Sequence, residues 1–458
     1  MTTRLRFALL ALAGAILFLG AIRLGDLPGY DDAMYAGEAK GIANTGDWLT
    51  PSLRGGPALE HPPLFVWTQA VFFRAFGESD PVAKLPSALC ALGTILLVYW
   101  LTRRLLGDSL AASVAMFAML ATPYFIKYAG HAMTDVPATF LFVCAVCAWS
   151  LAAENPRWYP AAGLFTAMAL MIRGLIGFGL PVIFAVDLIT LRRRPSWRWL
   201  IPALFIALLP FACWEMYLYL RYRDYFVGLH TGWLSREVFG APVQAWRRYT
   251  GLPEYLWMLA KSYWPWLPAT VAGIVVVIRE RRRPLILLLG WAGTVLLLCA
   301  AARSRVLRYM LPAYPAFAIL AVIGILRWIP RRIVDRVMNW APSLALAGAI
   351  AIVIFFPPSP HAMEIRAIAA ADTRALPPGT RVGVYDKGDP RNDETNQLEW
   401  YGNDVPVEPW NTAQFEQALR GRDVRVYLVD EETYEKRLRI LPHDVIARAG
   451  HLVSVRLK

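Results

Sequence analysis

Apolar runs close to the length of a membrane-crossing helix recur along most of this chain, and they leave few folds open to it. A helix needs about 20 residues to cross the hydrocarbon layer, and it must satisfy its backbone hydrogen bonds within the span. Eleven runs qualify, centred on residues 7–22, 83–101, 109–127, 136–153, 158–172, 174–191, 199–219, 263–279, 284–302, 309–326 and 340–356. The pieces around Arg173 and Pro265 are short or interrupted, so the upper count is thirteen. With 57% hydrophobic and 18% charged residues, the chain carries more apolar surface than one soluble core buries. The expected class is an α-helical polytopic membrane protein.

The net charge of +13 becomes informative once it is placed along the chain. Arg103 and Arg104, Arg192 to Arg194 with Arg198, Arg279 with Arg281 to Arg283, and Arg327 with Arg331, Arg332 and Arg336 fall in short loops of one parity. The positive-inside bias makes those loops cytoplasmic. Arg4 and Arg6 put the amino terminus on the same side, and eleven spans put the carboxyl terminus on the other. The arginines then read as topology signals and headgroup contacts, and a nucleic-acid partner is not needed to explain them. A cleaved signal peptide is the alternative reading of the first run, but no small-residue cleavage site follows it.

On this topology the elaborated loops share the non-cytoplasmic face: 24–84, 127–135, the Arg173 corner, 221–262, 301–308 and everything after Pro357. Chemistry is therefore expected there, away from nucleotides, and no Walker or Gly-rich phosphate loop is found. Cys90, Cys144, Cys147, Cys213 and Cys299 all lie within apolar runs. The Cys144-x-x-Cys147 pair reads as packing, because no His or Asp neighbours it.

The loop from Leu24 to Lys84 concentrates Asp31, Asp32, Glu38, Asp47 and Glu60 ahead of His61, Pro62 and Pro63. DDAMYAGEAKGIA has helical spacing and is expected to be a short amphipathic helix near the interface. Asp31 or Asp32 would otherwise be a helix cap and the remaining acids simply solvated. GDWLTPSLRGGPAL is turn-rich, and PPLFVWTQAVFFRAFG reads as a second, aromatic helix. The tail, 358–458, changes character after FPPSP. Strands are expected in 381–386, 424–430 and 451–458, and helices in 411–421 and 433–441. The division is thus a membrane domain at 1–357, with its large outer loop, and a soluble extracytoplasmic α/β domain at 358–458. No catalytic motif appears in the tail, for which stability, spacing and acceptor docking are the candidate roles.

The outer loop resembles the first periplasmic loop of GT-C glycosyltransferases related to protein O-mannosyltransferases and bacterial aminoarabinose transferases of lipid A. The matching residues are Asp31 with Tyr35, Gly46 to Pro51, Glu60 before His61 to Pro63, and Phe76 with Gly77. HAMTDVP (131–137) is similar to the family's second acidic site, which would place Asp135 near Asp31. MIRGLIGFGLP (171–181) resembles the segment in which a basic residue precedes Gly, here Arg173 and Gly174. ARSRVLRYMLPAYP (302–315) resembles the basic-Ser-basic run before Tyr-x-Leu-Pro. The resemblance covers roughly 1–330. One departure is His61, which stands where many relatives have Lys and can be neutral near pH 7.

The resemblance implies transfer of a single sugar from a polyprenyl-phosphate donor to a lipid A, glycan or protein acceptor on the periplasmic face of the inner membrane, with inversion. It implies Asp31 as base, Glu60 and Asp135 as supporting groups, and His61, Arg173, Arg303, Arg305, Arg308 and Tyr309 around the donor phosphate. Asp32, Tyr35 and Arg236 are the substrate-binding candidates, Arg236 from the long loop 221–262. The chemistry is coherent with these types, because a lipid phosphate leaves as an anion and needs cations rather than a strong acid. Headgroup anchoring is the competing reading of the arginines. No cofactor is required; a divalent metal where the carboxylates and His61 converge stays open, since no ligand count can be set. A transporter or flippase would instead place its charges near mid-bilayer in broken helices, and a noncatalytic scaffold is the remaining alternative.

Overall fold

In the computed structural model, the residues described are 1–53, 56–192, 194–234, 251–280, 285–301, 306–356, 363–377, 380–385, 393–402, 407–409, 411–421 and 426–458. Arg236, Arg303 and Arg305 lie outside them. Two compact units emerge. One comprises Met1–Ile22, Leu59–Phe65 and Lys84–Phe356; the other comprises Arg23–Ala58, Val66–Ala83 and Pro357–Lys458. Most of the acidic loop thus groups with the tail.

The first unit is a helical membrane body. Among the described residues, seven helices are long and apolar enough to cross a bilayer: Thr3–Ala21, Asp80–Leu106, Asp135–Ala152, Gly174–Leu191, Trp197–Arg221, Leu307–Trp328 and Arg331–Phe355. An eighth span results if Ser109–Leu120 and Pro123–Ala129, bent by 66°, count as one. The runs expected at 263–279 and 284–302 are the shorter helices Trp266–Arg279 and Ile286–Ala301. The run at 158–172 is the 14-residue helix Tyr159–Ile172. The chain is a multi-pass membrane protein. Because lipid tails are as apolar as leucine, its helices gain little from hydrophobicity alone and rely on close backbone approach. Gly273 and Gly324 provide it between Trp266–Arg279 and Tyr314–Trp328: a Cβ on Gly273 would collide with the Leu320 carbonyl, and one on Gly324 with that of Ala269. Gly163 does the same against Ala203.

The second unit holds the acidic helix, Tyr30–Thr45, and a five-stranded sheet. A short antiparallel pair, β1 (Ser52–Leu53) and β2 (Gly56–Pro57), follows the helix. Asp47 Oδ1 accepts from the Leu49 and Thr50 amides at 3.1 and 2.9 Å, which accounts for the turn-rich character of that stretch. The aromatic helix spans Leu64–Phe76. The sheet comprises β3 (Val382–Tyr385), β4 (Val407–Pro409), β5 (Val426–Asp430), β6 (His443–Ala449) and β7 (Leu452–Leu457), in the order β4-β3-β5-β7-β6. β3 runs parallel to β4 and β5, while β7 is antiparallel to β5 and β6. The three strands expected from sequence are β3, β5 and β7, and the helix expected at 411–421 is Thr412–Gly421. The helix expected at 433–441 is a π-helical turn, Tyr434–Leu438. β4, β6 and the helices Met363–Ala375 and Asp393–Tyr401 carry weaker patterns and are additional.

The acidic helix departs from expectation in one respect. Residues 32–39 are all buried, so over that stretch the helix lacks the exposed polar face expected of an amphipathic helix. Its glycines explain part of this: a Cβ on Gly41 would lie 2.7 Å from the Ser52 carbonyl oxygen, and one on Gly37 2.8 Å from Leu53 Cδ1. Both allow β1 to press against the helix.

A buried acid in this unit gives a stability test. Asp372 is fully buried, with Oδ1 accepting from Ser454 Oγ at 2.7 Å and Oδ2 lacking a hydrogen-bond partner. Burial raises its carboxyl to about 6, partly offset by the serine hydroxyl. The unfolded chain therefore releases this proton first, and stability falls as pH rises from about 4 to about 6. Asp372→Asn is expected to raise the thermal midpoint at pH 7.5, by up to about 3 kcal/mol in stability, and to do little at pH 4. A midpoint change independent of pH would contradict this.

Candidate active site

Asp135 occupies the first turn of the helix Asp135–Ala152, where the helix dipole favours a carboxylate. The turn before it is pinned by Ser87 Oγ, which donates to the Met133 carbonyl at 3.0 Å. Arg173 sits where Tyr159–Ile172 ends; its amide closes that helix on Ala169 at 2.9 Å, and its extended backbone starts the turn Gly174–Gly177. Arg308 and Tyr309 come from the 3-10 segment Leu307–Ala313. Three separate helical breaks thus deliver one cluster.

Within the cluster, Arg173 Nη1 donates to Asp135 Oδ1, and Arg308 Nε stands 3.6 Å from Asp135 Oδ2. The Arg173 guanidinium lies 4.2 Å from the centre of the Tyr309 ring, a cation–π contact that flattens it against the phenol. Two guanidiniums thus share one buried carboxylate. Asp135 is 2% exposed, whereas the two arginine side chains retain 20% and 22% of their surface. An incoming anion can therefore reach the cations but not the carboxylate. Of the supporting roles open to Asp135, the geometry favours holding arginines: Oδ1 accepts from Arg173, and Oδ2 faces Arg308 at ion-pair distance with no hydrogen bond of its own.

His61 and Glu60 belong to the same unit and are solvent-accessible. Protein atoms packed around His61 nevertheless desolvate its imidazole. That desolvation, followed by the charge of Arg173, holds its imidazole at about 4. In the ligand-free protein His61 is thus a neutral donor and acceptor, as its departure from lysine led one to expect. Among the described residues, no group of three or more His, Cys, Asp and Glu side chains converges as metal ligands.

The other sequence candidates distribute as follows. Asp31, Asp32 and Tyr35 lie on the acidic helix of the second unit, Asp31 half-buried and the other two buried. Two further features of the membrane body were not anticipated. Lys84 is 2% exposed at the start of its span, a rare state for an ammonium. Tyr124, Tyr128, Tyr263 and Tyr314 form a chain of rings 4.9 to 6.4 Å apart, with Ser262 Oγ 3.2 Å from the Tyr314 hydroxyl. In sequence these tyrosines are indistinguishable from an interfacial aromatic belt.

Removing the Asp135 carboxylate leaves two guanidiniums without their shared counter-charge. Asp135→Ala is expected to cost about 3 kcal/mol of stability, and an added polyprenyl phosphate to restore part of the lost thermal midpoint. A midpoint equal to that of the unmodified protein would rule out the ion cluster. For His61, imidazole NMR shifts of the ligand-free protein at about pH 6 are expected to report the neutral ring; a midpoint near the unperturbed value would contradict its desolvation.

A family model described as dolichyl-phosphate-mannose-protein mannosyltransferase matches residues 60–217, the stretch that includes Glu60, His61, Asp135 and Arg173. An uncharacterized protein of Aquifex aeolicus is 25% identical over 297 residues, 63% of this chain and 58% of its own length. The undecaprenyl phosphate-alpha-4-amino-4-deoxy-L-arabinose arabinosyl transferase of Shewanella sediminis is 26% identical over 362 residues, covering 74% of this chain and 64% of that protein. The chain thus spans about three fifths of the length of these relatives. The crystal structure of ArnT from Cupriavidus metallidurans bound to undecaprenyl phosphate has the same fold, with a TM-score of 0.78 at 18% identity over 99% of this chain and 98% of that one. In sequence pattern and in fold alike, this chain is similar to the GT-C superfamily glycosyltransferases, and among them to the aminoarabinose transferases.

Proposed function

We propose that this protein is a membrane glycosyltransferase that moves one sugar from a polyprenyl-phosphate carrier to an acceptor at the extracytoplasmic face of the inner membrane, with its amino terminus in the cytoplasm. The observation that carries this reading is the cluster of Arg173 and Arg308 around Asp135, with Tyr309 under the Arg173 guanidinium. It suits a lipid phosphate that leaves as an anion, because charge-assisted guanidinium contacts stabilise the developing charge without supplying a proton. The name of the Shewanella sediminis relative supports an undecaprenyl-phosphate-linked sugar as donor.

In the reaction, the bond between the anomeric carbon and the carrier phosphate oxygen breaks, and the electron pair leaves with the phosphate. The acceptor oxygen forms the new bond on the opposite face of the sugar, with inversion, and its proton passes to Asp31. Where the acceptor is itself a phosphate, as on lipid A, Asp31 serves to orient and to balance charge. Arg303 and Arg305, from the basic run preceding Arg308, are assigned to the same phosphate, with His61 as a neutral hydrogen-bonding partner and Glu60 as a supporting group. Asp32, Tyr35 and Arg236 are assigned to substrate contacts.

The reading is tested with reconstituted protein, undecaprenyl-phosphate-linked 4-amino-4-deoxy-L-arabinose and lipid A, alongside a comparison of envelope glycolipids and glycoproteins with and without the protein. Asp31→Asn is expected to lower turnover by about 100-fold, in the range of general-base loss. Unchanged turnover in that variant would reject the base, and identical glycolipid and glycoprotein profiles would reject the transferase.

A further inference from the structure

The acidic helix does not fix its own starting point. Its N-cap is Gly29, which offers no side-chain hydrogen bond to the first turn, and the residues ahead of it are loop. What anchors it comes from far along the chain, in the helix Asp393–Tyr401 of the same unit. The Tyr401 hydroxyl accepts the Leu27 amide at 2.9 Å, and Gln397 Nε2 donates to the Leu27 carbonyl at 3.1 Å. Both backbone groups of one fully buried residue, three positions before the acidic helix begins, are therefore held by side chains of a single distant helix. Lys40, in the third turn of the acidic helix, donates to the Trp400 and Gly402 carbonyls at 3.3 and 3.2 Å, at the helix end where carbonyls accumulate negative charge.

The clamp is itself fastened. Asp80, with a side chain 7% exposed, accepts from Trp400 Nε1 at 2.8 Å through Oδ1 and from the Tyr401 hydroxyl at 3.1 Å through Oδ2. Arg366 pairs with Asp80, reaches Asp26 at 3.0 Å and covers the Tyr401 ring at 4.5 Å. Trp400 stacks on Phe73 with ring centres 5.4 Å apart. Burial and the Asp80 charge push the Tyr401 phenol upward, so its proton stays in place to donate while its oxygen accepts from Leu27. This is more apparatus than a spacer domain needs.

We propose that the helix Asp393–Tyr401 is a positioning element for catalysis, in which Tyr401 and Gln397 fix the backbone at Leu27 and thereby the acidic helix that carries Asp31. The catalytic half of this statement rests on Asp31 being the base; the clamp itself does not.

Tyr401→Phe keeps the ring under Arg366 and removes only the hydroxyl, so Leu27 loses its acceptor and Asp80 one donor. In the full-length protein in nanodiscs, hydrogen exchange of amides 27–35 is expected to accelerate by about tenfold, the scale of one lost buried hydrogen bond. Amides of β3, β5 and β7 should be unaffected. With undecaprenyl-phosphate-linked 4-amino-4-deoxy-L-arabinose and lipid A, kcat should fall by about tenfold or more while KM for the donor stays within about twofold. Gln397→Leu should move both readouts in the same direction. Unchanged exchange at 27–35 would overturn the proposal, as would acceleration shared equally by the sheet, which would make Tyr401 a general stability residue. A kcat within about twofold of the unmodified protein, in a preparation where Asp31→Asn abolishes transfer, would also overturn it. Should Asp31→Asn leave transfer intact, the base assignment fails, and the exchange measurement alone decides the clamp.

Discussion

One buried carboxylate organises the membrane body's candidate site. Asp135 gathers Arg173 and Arg308 from two other helical breaks and remains almost wholly out of water while they do not. Isolated, each of those charges would be costly to hold at the edge of an apolar helix bundle. Together they offset part of that cost, and both guanidiniums keep about a fifth of their surface exposed. The arrangement explains why the helix at 159 stops at Arg173 rather than continuing, and why a 3-10 segment, rather than a regular helix, presents Arg308 and Tyr309. Irregular backbone in a membrane protein is tolerated where it lines something polar.

The second unit works by a different logic. Its sheet carries two buried apolar clusters, and its acidic helix is buried throughout residues 32–39. Its order depends on partners across the sequence: β1 against Gly37 and Gly41, and the Asp393–Tyr401 helix against Leu27 and Lys40. Pairing the tail with the first loop makes the tail part of the loop's architecture.

What could be read from the sequence divides along physical lines. Apolar runs announce spans because a period and a length suffice, and Asp135, Arg173, Arg308 and Tyr309 stood out as charges or phenols at run ends, where a motif could be matched to them. The strands β3, β5 and β7 were legible because they are buried apolar runs. The part-exposed β6, with no fully buried residue, and the three-residue β4 were not. Helix length was less legible, since among the described residues Trp266–Arg279 and Ile286–Ala301 are apolar helices shorter than the seven longer ones. The burial of the acidic helix was illegible altogether. It depends on hydrogen bonds between residues more than 300 positions apart, such as Trp400 with Asp80 and Tyr401 with Leu27, and no local pattern encodes those. The same holds for Lys84 and the tyrosine chain, whose neighbours are set by the bundle and not by their own segments.

The central claim is that the Arg173–Arg308 cluster holds the phosphate of a lipid carrier. Its most direct test is a phosphorus NMR titration of undecaprenyl phosphate in nanodiscs containing the full-length protein or its Arg308→Gln variant. The account predicts a saturable shift with the unmodified protein, and an affinity lower by about tenfold in the variant, as expected for losing one charge-assisted contact. Equal affinities for the two proteins would contradict it.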